Sequence, residues 1–87
     1  MEKLDKKQEI YKVLVHPGTV KILLSLKSGA AGFTEIMFES KLSPSVLNRL
    51  LKHLVENNLV LKQNGKYVLS DQGRKLISIL EKVIEML

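Results

Sequence analysis

Between residues 44 and 57 apolar and polar positions repeat with a helical period. Leu47, Leu50, Leu51 and Leu54 fall on one face at about 100° per residue. Ser45, Arg49, Lys52 and Glu56 fall on the opposite face, flanked by Asn48 and His53. Ser43 is a good N-cap, and Pro44 suits the first helical position, where a missing N–H leaves no bond unmade. Asn57-Asn58 is expected to close the helix, because Asn tolerates the left-handed C-terminal geometry. A helix over 44–57 is about 20 Å long, at roughly 1.5 Å per residue.

The same pattern reading predicts a first helix over 3–15, with Leu4, Ile10, Tyr11, Leu14 and Val15 as its apolar stripe. His16-Pro17-Gly18 interrupts it, and Pro17 starts a second helix over 17–28. Val20, Ile22, Leu23, Leu24 and Leu26 surround most of that helix, which marks it as the central buried one, and Gly29 terminates it. Residues 30–33 read as an extended connection with the character of an edge strand. Thr34 is placed to cap a third helix over 35–40, carrying Ile36, Met37 and Phe38, and residues 40–43 form the turn into the helix over 44–57. A hairpin over 59–69 follows, because Asn64-Gly65 between two strand-like runs is a strong turn signal.

Ser70 is expected to cap a last helix over 71–87, in which Leu76, Ile77, Ile79, Leu80, Val83, Ile84 and Leu87 cover an arc of about 160°. A domain of this size needs only the first turns for its own core. The remaining stripe, Leu80, Val83, Ile84 and Leu87, is expected to meet a second copy, together with Leu4 and Tyr11 of the first helix. The alternative is that the first helix of the same chain covers it.

Charge sharpens this picture. The chain carries a net charge of +5, and all of the excess lies in residues 41–75, where seven basic residues face two acidic ones. That stretch holds the helix over 44–57, the hairpin and the start of the last helix, so a polyanionic partner is expected there. There is no Cys, which excludes disulfides, thiolate metal sites and thiol redox sensing. With no Trp and only 5% aromatic residues, a base-stacking platform for single-stranded RNA is also disfavoured. No secretory leader and no membrane-spanning run is legible, so the expected location is cytoplasmic.

Three segments resemble the ArsR/MarR group of winged helix-turn-helix transcriptional regulators of prokaryotes, archaea included. HPGTVKILLSL resembles the group's His-Pro opening of the second helix. LSPSVLNRLLKHLVENNLV resembles its Leu-Ser-x-Ser-x-Val-Ser-Arg-x-Leu-x-x-Leu pattern and the Leu-Val that leads into the wing. YVLSDQGRKLI resembles its Tyr-x-Leu-Thr-x-x-Gly ending, with Ser70 in place of Thr and Gly73 matching the Gly. A Gly in a first helical turn costs about 1 kcal/mol relative to Ala, so Gly73 is expected to serve a close backbone contact. The resemblance covers residues 11–77. It implies a mainly α fold with a small β-hairpin, a winged helix-turn-helix. At 87 residues the whole chain is expected to form this one domain, and its terminal helices, by their apolar stripes, are expected to make a dimer interface.

One departure is informative. Metal-sensing members carry a Cys-x-Cys pair on the third helix, where this chain has Glu35-Ile36-Met37-Phe38-Glu39. His16 and His53 are far apart in sequence and are expected to be apart in space, so no metal and no cofactor is expected. No nucleophile, phosphate loop or His/Asp constellation points to catalysis. The expected function is sequence-selective binding of double-stranded DNA by a homodimer. Arg49 is the candidate for guanine, Asn48 for adenine and Val46 for a thymine methyl. Ser45 and Lys52 are candidates for phosphates, with Lys41 and Thr34 as weaker ones, and Lys62, Gln63, Asn64 and Lys66 of the wing for the flanking backbone. The alternatives are a winged-helix protein-interaction module and a nonspecific architectural DNA-binding protein.

Overall fold

Pro17 opens the helix around which the other elements are packed. The computed structural model describes residues 12–87. In chain order its elements are α1 (Pro17–Leu26), α2 (Phe33–Ser40), α3 (Pro44–Glu56), β1 (Val60–Gln63), β2 (Lys66–Leu69) and α4 (Asp71–Glu85). Residues 12–14 are helical and belong to the end of the expected first helix. The rest of that helix, with Leu4, Ile10 and Tyr11, lies outside the described residues. Val13 is buried whereas Val15 is 58% exposed, so the stripe expected on Val15 is replaced at its end by Val13.

α1 is capped by His16, whose Nδ1 accepts the Gly18 N–H at 2.9 Å. The helix ends at Leu26 rather than at residue 28. Gly29 adopts φ 145°, a backbone region open to Gly, and the chain reverses there. Ile22, Leu23 and Leu26 are fully buried, but Leu24 is exposed, so α1 is central without being apolar all round.

α2 begins at Phe33, earlier than expected, and Gly32 is its N-cap rather than Thr34. Gly32 has no side chain to cap with. Instead the Glu35 carboxylate reaches back and accepts the Gly32 N–H at 3.2 Å, the second half of a capping box, and this lets the helix start at Phe33 rather than at residue 35. Ile36 points into the core, while Phe38 is 73% exposed and takes no part in it. Lys41 closes α2 in the left-handed conformation, φ 59°, and its N–H donates to the Met37 carbonyl.

α3 follows the expected pattern closely. Ser43 Oγ accepts the Val46 N–H, Pro44 is the first helical residue, and Leu47, Leu50, Leu51 and Leu54 are at most 2% exposed. Asn57 is the C-cap and Asn58 adopts φ 60°. Asn58 N–H donates to Val55 O and Leu59 N–H to Leu54 O, the paired bonds of a Schellman ending. Because Leu59 N–H is used in this way, the strand begins one residue later than expected, at Val60.

β1 and β2 pair antiparallel, with Val60 opposite Leu69 and Gln63 opposite Lys66. Asn64 (φ 51°) and Gly65 (φ 77°) make the turn, as their sequence indicates. The expected edge strand at 30–33 is reduced to one bridge. Ala31 exchanges two backbone hydrogen bonds with Tyr67, at 3.0 and 2.8 Å, and these pin the hairpin to the α1–α2 connection.

α4 is capped by Ser70, whose Oγ accepts the Gly73 N–H at 3.0 Å and donates to Asn58 O at 2.6 Å. Ser70 N–H donates to Leu59 O. That carbonyl also explains Gly73, because a Cβ there would stand 2.0 Å from Leu59 O. Ile77 is buried, and Leu76 and Leu80 pack partly on the core. The helix ends at Glu85, short of the expected residue 87, with Leu87 fully exposed.

Gly73→Ala tests this junction. Helix propensity alone favours Ala by about 1 kcal/mol. The clash with a backbone atom should reverse the sign and destabilise by about 2 kcal/mol or more. Urea unfolding at equilibrium measures it, and a variant as stable as the parent would remove the close contact from the account of this position.

Candidate nucleic-acid interface

Docking α3 by its leucines fixes where its other side chains go. Ser45, Asn48, Arg49 and Lys52 are all exposed, and their spacing places them along one outer face. Ser45 Oγ lies 3.5 Å from Ser43 Oγ, beside the helix cap. Val46 is half-buried and packs against the core edge, so only part of its side chain is available outside. The 13 residues of α3 give a rod of about 20 Å.

The wing carries the second group. Lys62, Gln63, Asn64 and Lys66 are exposed around the turn, while Val60 and Leu69 at the root are buried. Lys62 and Tyr67 are cross-strand partners, and Lys62 Nζ lies 5.5 Å from the centre of the Tyr67 ring. That is within cation–π range, about 6 Å, so the ring restrains the ammonium at the wing's edge. Thr34 and Lys41 are also exposed, on the first turn and at the C-cap of α2.

The outer flank of α3 has neighbours that the sequence did not reveal. Arg49, Leu50 and His53 line a cleft of about 390 Å³ together with Lys12, Val13 and His16 from the chain leading into α1. The two histidines expected to be apart therefore share one cleft. The physical reason is the close approach of α1 and α3 at Gly18, where a Cβ would stand 2.9 Å from Leu50 Cδ1 and 3.0 Å from Leu42 Cδ1. Nδ1 of His16 is occupied by the Gly18 N–H, which leaves the Nε2–H as its remaining donor. His53 Nδ1 lies 4.0 Å from Glu56 Oε2, and the His53 carbonyl accepts from Asn57 Nδ2 at 2.8 Å. Spacing along a single helix could have flagged His53, but nothing in the sequence joins residues 12–16 to it.

Among the described residues no group of three or more His, Cys, Asp or Glu is placed to hold a metal ion. No helix among them is long and apolar enough to cross a membrane. The stripe on the second half of α4 is open in part: Val83 is 48% and Ile84 52% exposed, whereas Leu80 is half-buried against its own core.

Comparison with known proteins places this geometry. An HTH-type transcriptional regulator of Methanocaldococcus jannaschii, itself uncharacterized, is 33% identical over 81 residues, spanning 87% of this chain and 76% of the relative. Quinone-bound YodB of B. subtilis superposes with a TM-score of 0.81 at 24% identity, over 94% of each chain. A MarR family transcriptional regulator of Silicibacter pomeroyi superposes with a TM-score of 0.73 at 19% identity, over 78% of this chain and 49% of its own. These two share the fold. The family model described as winged helix-turn-helix matches residues 19–87, from within α1 through the wing to the end of α4. With that match, and with the relative from M. jannaschii, the chain belongs to the winged helix-turn-helix family.

Proposed function

We propose that the protein is a cytoplasmic transcriptional regulator that binds double-stranded DNA sequence-selectively as a homodimer, with α3 in the major groove and the wing on the flanking backbone. The observation that carries this reading is the division of α3 into a leucine face at most 2% exposed and an outer face on which Ser45, Asn48, Arg49 and Lys52 are all exposed. A helix held so firmly from behind presents its polar side chains without rearrangement. A rod about 20 Å long and 10–12 Å across fits a groove roughly 12 Å wide. The confinement of the net charge to residues 41–75 supports the same partner.

In this reading Arg49 bridges the two acceptors of a guanine and Asn48 pairs with adenine. The exposed part of Val46 meets a thymine methyl. Ser45 and Lys52 hold phosphates, Lys41 and Thr34 lie within the backbone-contacting group, and Lys62, Gln63, Asn64 and Lys66 set the register from the wing. The dimer forms through Val83, Ile84 and Leu87 with the open side of Leu80, and through Leu4 and Tyr11 outside the described residues.

Arg49 decides between a DNA regulator and an interaction module. Its side chain is exposed, so Arg49→Ala should leave stability within about 0.5 kcal/mol of the parent. Affinity for the best duplex selected from genomic fragments should fall about ten-fold or more, since a bidentate guanine contact carries roughly 1–3 kcal/mol of discrimination. Random duplex should be affected far less. Fluorescence anisotropy at one salt concentration reads both. Equal losses would make Arg49 a phosphate clamp, and no duplex binding by the parent at low salt would leave the interaction module standing.

The wing is expected to behave differently. Lys62→Ala and Lys66→Ala should weaken binding to all duplexes alike and each lower the log–log salt slope by about 0.9. A changed sequence preference at constant slope would show that the wing reads bases. For the assembly, light scattering at micromolar protein should give about twice the 9.8 kDa chain mass. Val83→Glu should return it to the chain mass with the fold kept, because Val83 is exposed within its own chain. A parent that scatters as a single chain would sink the dimer.

A further inference from the structure

We propose that the cleft between the start of α1 and the outer flank of α3 is a binding site for a phosphate group. Its two walls each supply one basic side chain, Lys12 from the chain before α1 and Arg49 from α3. The imidazoles add donors from the same two sides: His16 through its Nε2–H, since Nδ1 is held by Gly18, and His53 from the turn of α3 beyond Arg49. Val13 and Leu50 supply the apolar lining. None of the described lining residues is acidic. The carboxylate beside this set, Glu56, stands 4.0 Å from His53 on an exposed stretch of α3 and does not line the cleft.

This donor set selects the ligand chemistry. Four nitrogen-bearing side chains on opposing walls suit a group with acceptor oxygens in several directions and up to two negative charges. A phosphate monoester or diester meets that requirement better than a planar carboxylate. About 390 Å³ leaves room for a small organic body beside the phosphate, against Val13 and Leu50. A second depression of about 270 Å³ makes the contrast, because Lys21 there shares the lining with Glu39, which would repel the same ligand.

The phosphate can come from two sources. It can belong to a free phosphorylated compound, which would then compete with DNA for Arg49, or to the DNA backbone beside the major groove, held then by Lys12 and the two histidines while Arg49 turns to the bases. The second source rests on the DNA reading above, and the first does not.

The test starts without DNA. Phenyl phosphate is titrated into the whole chain at constant ionic strength and followed by amide and histidine-ring NMR. Saturable shifts confined to residues 12–18 and 49–53 are expected. Lys12→Ala, at an exposed position, should weaken this binding about ten-fold while melting like the parent. Lys21→Ala should leave it unchanged. If phenyl phosphate binds in this way and also displaces duplex, the site serves a free phosphorylated compound. If it does not bind but Lys12→Ala lowers the duplex salt slope by about 0.9, the phosphate is that of the backbone. Shifts spread over the lysines generally, with Lys21→Ala weakening binding as much as Lys12→Ala, would reduce the cleft to diffuse attraction and overturn the proposal. So would the absence of shifts together with an unchanged slope. A parent without duplex affinity would remove the regulator reading while leaving the phenyl phosphate titration decisive for the cleft.

Discussion

The burial of Leu47, Leu50, Leu51 and Leu54 is the constraint on which the remaining structure depends. A helix rotates by about 100° per residue, so a docking error of one position would drive Arg49 or Lys52 into the core. An unpaired charge there costs far more than the stability of a small domain can absorb. The leucines therefore set the direction of every polar side chain on α3, and the chemistry outside is a consequence of the packing inside. Each fully buried leucine contributes about 1.5–3 kcal/mol, so the same contacts that orient α3 also carry a large share of the fold. Their partners, Ile22, Leu23 and Leu26 of α1, are equally buried, which is why α1 is central despite its exposed Leu24.

Much of this was legible in the sequence wherever a side chain performs a local task. Ser43 and Pro44 announce the start of α3, Asn64-Gly65 the turn of the wing, and Ser70 the start of α4, because each acts on backbone within three residues of itself. Gly73 was legible as a demand for space, although Leu59 O as the atom that makes the demand was not. The start of α2 was misplaced because its cap is Gly32, which has no side chain to signal it and relies on Glu35 reaching back. Val13 and Val15 could not be ranked, since two apolar residues near a helix end are separated only by what packs on them. The outer face of α3 was visible as a pattern, but its neighbours Lys12 and His16 were not. They are brought to Arg49 by tertiary packing at Gly18, across more than thirty residues of chain.

The wing and the last helix are secured unequally. The wing is tied at both edges of β2: to β1 by the ladder and to Ala31 by the paired bonds of Tyr67. Its tip, Asn64 and Gly65, lies beyond the last ladder pair, Gln63 with Lys66, and has no such support. α4 is linked to the end of α1 by Lys27 and Glu81 at 2.8 Å, but both groups meet solvent, and pairs of that kind are worth about 0–1 kcal/mol. The direction of α4 is set instead by Ile77 in the core and by the contacts at its first turn.

Those first-turn contacts meet at Leu59. Its N–H closes α3, its carbonyl receives Ser70, and the missing side chain of Gly73 lets the last helix seat against the same carbonyl. One residue thus serves as the corner brace between the helix that faces outward and the helix whose far end is bare. A brace of this kind has no slack, because a backbone atom cannot rotate aside as a side chain can. Two chains joined by their last helices would then hold their α3 rods at a separation fixed by rigid geometry. The distance between half-sites, about 34–36 Å for one turn of duplex, would be measured by the stiffness of that corner rather than by any residue that touches a base.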